Sequence, residues 1–230
     1  DKFNLSYKIK IIVQTISVLI IIIFINNNSN NFISLFLGKS FLSYFIFIFI
    51  GICIINFINF MDGIDGLVVG SLIIIFISIN NSIIYLIPII GALLGFLKLN
   101  WQPSKIFMGD SGSLYLGSFL VSIMFNTEST FDFLKILLLI SPLVIDPSIT
   151  ILQRLKKGED IFKAHKLHLY QRLVSAGISH SKVSLLYIFS VSILGLVYRF
   201  SDIYSLIITT LIILFLGVII DNKYALKLKR

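Results

Sequence analysis

The chain has 230 residues, 57% of them hydrophobic and 13% charged, with a mean hydropathy of +0.99. That excludes an ordinary soluble domain, where about 45–50% apolar residues is usual. A formal charge of +8 set among such segments reports membrane orientation rather than nucleic acid as a partner, and a single cysteine, Cys53, excludes an intramolecular disulfide.

Apolar runs fall at roughly 9–25, 40–58, 67–79, 83–97, 112–125, 133–151, 183–198 and 203–220. They predict an all-α, polytopic integral membrane helical bundle with about eight transmembrane helices, although several runs are shorter than the ~20 residues a hydrocarbon core requires. Residues 1–230 read as one transmembrane domain. No initiator Met or signal-type segment precedes Asp1, so the sequence is expected to begin inside a larger protein, without its N-terminal helices.

With the N-terminal end cytoplasmic, strict alternation over eight spans places 16 of the 19 basic residues on the cytoplasmic side, leaving Lys39, Lys135 and Arg199 elsewhere. The opposite connections, "NNNSNN", "INNS", "NTESTFD" and "RFSD", read as plain connectors. The polar clusters at 56–66, 98–113 and 152–182 all fall on the cytoplasmic face, which points to a site assembled at the inner membrane surface.

In "INFINFMDGIDGLVVG", Asn56, Asn59, Asp62 and Asp65 form an i, i+3 ladder that a helix would hold along one side. Carboxylates and carboxamides are hard oxygen donors suited to Mg²⁺, which combines one or two carboxylates with substrate phosphates. The alternative is a polar helix end with Asp as cap and Gly as stop. Next, "KLNWQPSKIFMGDSGSLYLG" runs from a loop into a helix with Asp110 at the junction. Its Gly/Ser content suits an anion at a helix N-terminus, while Asp110 or Ser111 could equally be the N-cap.

Asp146, in "SPLVIDPSITIL", is the one acid well inside an apolar run. It reads as a functional intramembrane acid or as a buried hydrogen-bonding partner near Pro142 and Pro147. Farther on, "RLKKGEDIFKAHKLHLYQRL" places His165, His168 and Arg172 at helical spacing, suited to phosphate binding or proton donation. Lys163 and Lys166 read as a basic face on anionic headgroups. His180 stands apart and reads as solvated.

Taken together, "NFINFMDGIDGL", "NWQPSKIFMGDSGSLYLG", "AHKLHLYQRL" and the opening "DKFNLSYKIKIIVQ" resemble the polyprenyl-phosphate N-acetylhexosamine-1-phosphate transferase family, glycosyltransferase family 4. The "HLYQR" form is similar to the branch that initiates O-antigen or other surface glycans. The resemblance implies transfer of an N-acetylated sugar-1-phosphate from a UDP-sugar to polyprenyl (undecaprenyl) phosphate with release of UMP. It implies a multi-pass inner (plasma) membrane enzyme acting at the cytoplasmic face, with Mg²⁺ or Mn²⁺ as cofactor and a homodimer as a candidate assembly. Residue by residue it implies Asp110 and Asn59 at the metal, and Asn56, Asn59, Asp62, Asp65, Asn100 and Phe107 around the donor. Asp1, Asp110, His165, His168 and Arg172 then serve catalysis, with Asp1 either a general base or a covalent nucleophile. Two rival readings are a Mg²⁺-dependent membrane prenyltransferase, which should carry a second aspartate-rich motif, and an ion-coupled transporter built on Asp146.

Overall fold

The computed structural model describes residues 7–26, 32–33, 41–79, 85–160 and 165–227. Among them every regular element is a helix: α1 (Tyr7–Asn26), α2 (Phe41–Met61), α3 (Leu67–Ser78), α4 (Ile87–Asn100), α5 (Gly109–Phe125), α6 (Thr130–Leu139), α7 (Ser141–Lys156), α8 (Leu169–Ser175), α9 (His180–Phe200) and α10 (Ile203–Tyr224). The expected helical bundle is present: Pro88 and Pro142 sit in the first turns of α4 and α7, where the missing N–H removes no intrahelical bond, while Pro147 lies inside α7 and costs it one.

The span count differs from the expectation. Among the described residues, four helices are long and apolar enough to cross a membrane, α1, α2, α9 and α10, and a fifth crossing exists if α6 and α7 together make one broken span. At 1.5 Å per residue, the 12 residues of α3 and 14 of α4 reach only about 18 and 21 Å, short of a ~30 Å core. α3 is apolar for another reason: ten of its twelve residues are buried in protein. A helix hydrophobic all round belongs to a core as readily as to lipid, so hydropathy alone overcounts.

The chain divides into two compact units, residues 1–60 with 108–137 and residues 61–107 with 138–230. In the first, α2 packs on α1 and α5 at two close approaches. A Cβ on Gly51 would lie 2.8 Å from the Val18 side chain, and one on Gly117 3.0 Å from the Ile55 backbone. Phe47, Phe125 and Phe133 extend that core by ring contacts. In the second unit, α9 is the hub, packed on α3, α7, α8 and α10.

Candidate functional site

In the first unit the polar residues of α1, α2 and α5 meet. The N-cap of α5 is Met108, so Asp110, in the first turn, is not used as a cap. There the positive end of the helix favours an anion, and the carboxylate faces its neighbours. It forms an ion pair with Lys10 Nζ and accepts from Asn59 Nδ2 at 3.2 Å. Asn59 also donates to Ser113 Oγ at 2.8 Å, whose hydroxyl donates to the Gly109 carbonyl. The Lys10 ammonium holds the Asp110 carboxyl below the usual carboxylate range, against a smaller opposing effect of burial. One turn away, Asn56 and the buried Gln14 exchange amide hydrogen bonds of 2.8 and 3.2 Å. The ladder thus holds for its first two rungs, on α2.

Asp62 and Asp65 leave that ladder, because α2 ends at Met61 and both lie in the turn before α3. In the second unit this turn meets three other segments. Gly66 has φ +76°, and a Cβ there would sit 2.6 Å from the Trp101 ring, so glycine is required by both backbone and space. Gly66 N–H donates to Asn100 Oδ1 at 3.0 Å, and Asn100 Nδ2 donates to the Ile106 carbonyl. Asp65, 8% exposed, accepts from Ser104 Oγ at 2.9 Å and lies 3.4 Å from His180 Nδ1. Its carbonyl accepts from Ser184 Oγ. His180 is therefore a partner of Asp65 rather than a residue apart. Asp65 and Asn100 hold the 62–66 turn to the 101–106 loop and to α9, whereas Phe107 is 77% exposed.

The histidine segment is anchored from beneath. Asp146 accepts from the backbone N–H groups of Leu169 (2.8 Å) and Tyr170 (3.4 Å) and from the Tyr187 hydroxyl (2.7 Å). Asp146 is thus a buried hydrogen-bonding partner, as its second reading had it, but it serves the N–H groups that begin α8 and a hydroxyl of α9 rather than the carbonyls freed near Pro142 and Pro147. His168 stacks on Tyr170, with rings 5.9 Å apart and 7° from parallel, and His165 lies 4.9 Å from His168. Burial, aided by the Arg154 charge, lowers His168 to about 4; His165 falls to about 4 through burial and its His168 and Arg154 neighbours. The 3.8 Å separation of His168 Nδ1 from Asp146 is too long for a hydrogen bond that would oppose this. Both imidazoles are neutral at pH 7, so neither brings the positive charge expected of it. Arg172 is charged but pairs with Asp221 at 2.6 Å and donates from Nε to the Leu167 carbonyl. Asp1 lies outside the described residues.

The residues of these clusters absent from the candidate set include Lys10, Gln14, Ser113 and Tyr170. The first two carried a legible signal, since a Lys and a Gln four residues apart on a mostly apolar helix face the same way. Ser113 and Tyr170 carried none, because a Ser or Tyr in an apolar helix has many uses.

Among the described residues no three His, Cys, Asp or Glu side chains gather into a metal cage. The Asp110 cluster offers one carboxylate, one carboxamide and one hydroxyl. That donor set fits Mg²⁺, which keeps water and takes substrate phosphates as its remaining ligands, provided the Asn59 amide turns its oxygen inward.

Among the described residues, helices alone, four of them long and apolar enough to cross a membrane, define a helical membrane protein. The chain belongs to glycosyl transferase family 4, whose model matches residues 1–128. Over 96% of its length it is 30% identical to a probable undecaprenyl-phosphate N-acetylglucosaminyl 1-phosphate transferase of Bacillus subtilis, covering 67% of that protein. It is 31% identical to the decaprenyl-phosphate N-acetylglucosaminephosphotransferase of Mycobacterium leprae, over 59% of this chain and 42% of that one. With the phospho-N-acetylmuramoyl-pentapeptide-transferase of Bacillus subtilis the identity is 39%, over 52% of this chain and 40% of the relative. The chain therefore spans two thirds of the first relative and about two fifths of the others.

Proposed function

We propose that the protein containing this chain transfers an N-acetylhexosamine-1-phosphate from its UDP-sugar to polyprenyl phosphate at the cytoplasmic face of the plasma membrane. The observation that carries the reading is the Asp110, Asn59, Ser113 and Lys10 cluster, because it lies inside the family-matched segment and supplies what two meeting phosphates need. A phosphate oxygen of the lipid forms a bond to the β-phosphorus of the donor. The bond from that phosphorus to the bridging oxygen breaks, and its electron pair leaves on UMP. The lipid phosphate, with a second pKa near ~6, is mostly ionised at pH 7 and gains little from a general base.

Catalysis then rests on positioning and charge. Asp110 and Asn59 would hold Mg²⁺ or Mn²⁺, which supplies positive charge to the diphosphate when bound. Lys10 provides a second cation beside Asp110. The family resemblance assigns Asp62 to the donor as well, on a turn braced by Asn100 and Asp65; the neutral His165 and His168 would act as hydrogen-bonding groups. N-acetylglucosamine is the first donor to test, since the relative aligned over 96% of the chain is named for it. The "HLYQR" segment favours initiation of a surface glycan.

The test is Mg²⁺-dependent exchange of labelled UMP into UDP-sugars by the full-length protein, with and without polyprenyl phosphate. Exchange should require the lipid, and Asp110→Asn should lower it by at least about a hundredfold with membrane insertion unchanged. Exchange without the lipid would reject direct attack by the lipid phosphate in favour of a covalent intermediate; full activity in the variant, or no transfer of label from the donor to the lipid, would reject the reading.

A further inference from the structure

Between the end of α7, the α8 segment and the chain following α10 lies a cavity of about 290 Å³ in which Arg154, Lys157, Lys166, Arg172 and Lys227 surround a single lining carboxylate, Glu159. Neither His165 nor His168 lines it. Glu159 pairs with the buried Arg154 at 3.0 Å and Asp221 pairs with Arg172, and among the lining residues five cations face one carboxylate. The floor is built rather than incidental. Arg154 donates to the Asp160 carbonyl at 2.6 Å, and Arg172 donates to the Leu226 carbonyl at 3.2 Å, holding the post-α10 chain in place. The partial negative charge at the end of α7 is muted, because its last carbonyls accept from the backbone N–H groups of Lys157, Gly158 and Glu159.

Such a wall selects a phosphate anion, and two features choose its source. At about 290 Å³ the cavity is at or below the lower end of the range for small-molecule pockets, roughly 300–1,000 Å³, too small to enclose a nucleotide-sugar. It also sits where two helices end, one of them the long apolar α10. Lys157 follows α7 directly, and Lys227 comes three residues after Tyr224, the last residue of α10. Only 11% of the apolar stretch of α10 is buried, leaving an uncovered hydrocarbon-like surface on the helix that precedes the cavity-lining Leu226 and Lys227. A cation-lined pocket at the end of a lipid-facing helix fits a molecule with an anionic head and acyl chains.

We infer that this cavity binds the headgroup of an anionic phospholipid, its phosphate held by Lys157, Lys166 and Lys227 and its acyl chains lying along α10. The inference is independent of the transferase reading.

The experiment places the full-length protein in nanodiscs with equal phosphatidylglycerol and phosphatidylcholine and measures retained lipid by native mass spectrometry. Phosphatidylglycerol should be retained in preference, and more weakly as salt rises. The Lys157→Gln/Lys166→Gln/Lys227→Gln variant should lose about tenfold or more in its affinity, while Lys182→Gln, a charge removed elsewhere, should keep it. Millimolar inorganic phosphate should not displace the lipid. Equal retention of both lipids, unchanged affinity in the triple variant, or displacement by free phosphate would each overturn the inference. The two-lipid and salt comparisons use the wild-type protein and stand even if the triple variant fails to fold.

Discussion

Lys10 and Asp110 pair across part-exposed side chains, 39% and 35% accessible, so the ammonium is a counter-ion that a divalent cation would have to displace or share. An ion pair this open is worth up to about 1 kcal/mol. Lys10→Met should therefore raise the affinity of the substrate-free protein for Mn²⁺ by up to about fivefold, read by electron paramagnetic resonance, while turnover falls because the second cation is gone. Mn²⁺ affinity that drops in Lys10→Met would place the metal away from Asp110. The histidines give a second expectation at this scale. Folded His165 and His168 stay neutral down to about pH 4, whereas unfolded histidine takes its proton near ~6.5. Between these values the unfolded state binds more protons, so stability is full above about 6.5 and falls as pH drops toward 4. For His168, 3% exposed, the loss by pH 4 is on the order of 2–3 kcal/mol; the more exposed His165 adds less. Denaturant melts at pH 7 and 4.5 should show the loss, and His168→Gln should flatten it; an unchanged slope in that variant would assign it to other groups.

At the scale of elements, one carboxylate organises three helices: Asp146 of α7 takes both N–H groups that begin α8 and the Tyr187 hydroxyl of α9. Asp146→Asn keeps the shape but turns an amide donor toward groups that are all donors. It should cost about 2–4 kcal/mol, against about 1 for Tyr187→Phe, which removes one bond. Equal losses in thermal melts would show that the α8 contacts carry no weight. The turn before α3 depends on α8 in a different way. A Cβ on Gly63 would lie 2.1 Å from the Tyr170 hydroxyl oxygen and 3.0 Å from the ring carbon bearing it, and Tyr170 is fully buried. Gly63→Ala should destabilise by about 1–3 kcal/mol. Adding Tyr170→Phe should recover part of that, a coupling a double-mutant cycle would detect and whose absence would refute the contact. Here the sequence falls short in an instructive way. The Asn56 and Asn59 rungs were legible because they share a helix period, and both find polar partners on other helices. Asp62 and Asp65 kept the spacing but not the helix. Glycines at 63 and 66 mark the break, yet they do not say which rings they admit, since Trp101 and Tyr170 arrive from far along the chain. Likewise α3 reads as a span because apolar periodicity cannot distinguish a protein wall from lipid.

For the whole molecule, membrane orientation is the property that charge distribution controls most directly. The α9–α10 pair tests it cleanly, because both helices are long enough to cross and their flanks differ in charge. Lys156, Lys157, Lys166, Arg172 and Lys182 precede or begin α9, and Lys223 and Lys227 end or follow α10; the connection carries Arg199 alone among cations, beside Asp202. The positive-inside bias predicts both outer ends in the cytoplasm and the Ser201–Asp202 connection on the far side. Cys53 is the chain's one thiol, so a Cys53→Ala background gives clean labelling. Ala176→Cys and Ser201→Cys, both at exposed positions, should react with an impermeant maleimide from opposite faces, Ala176→Cys only in inverted vesicles and Ser201→Cys only in right-side-out ones. Labelling of both from one face would mean that α9 and α10 do not cross. Labelling with the faces exchanged would leave the crossings intact but put the histidine segment outside, where no UDP-sugar is supplied, and would remove the proposed reaction with it.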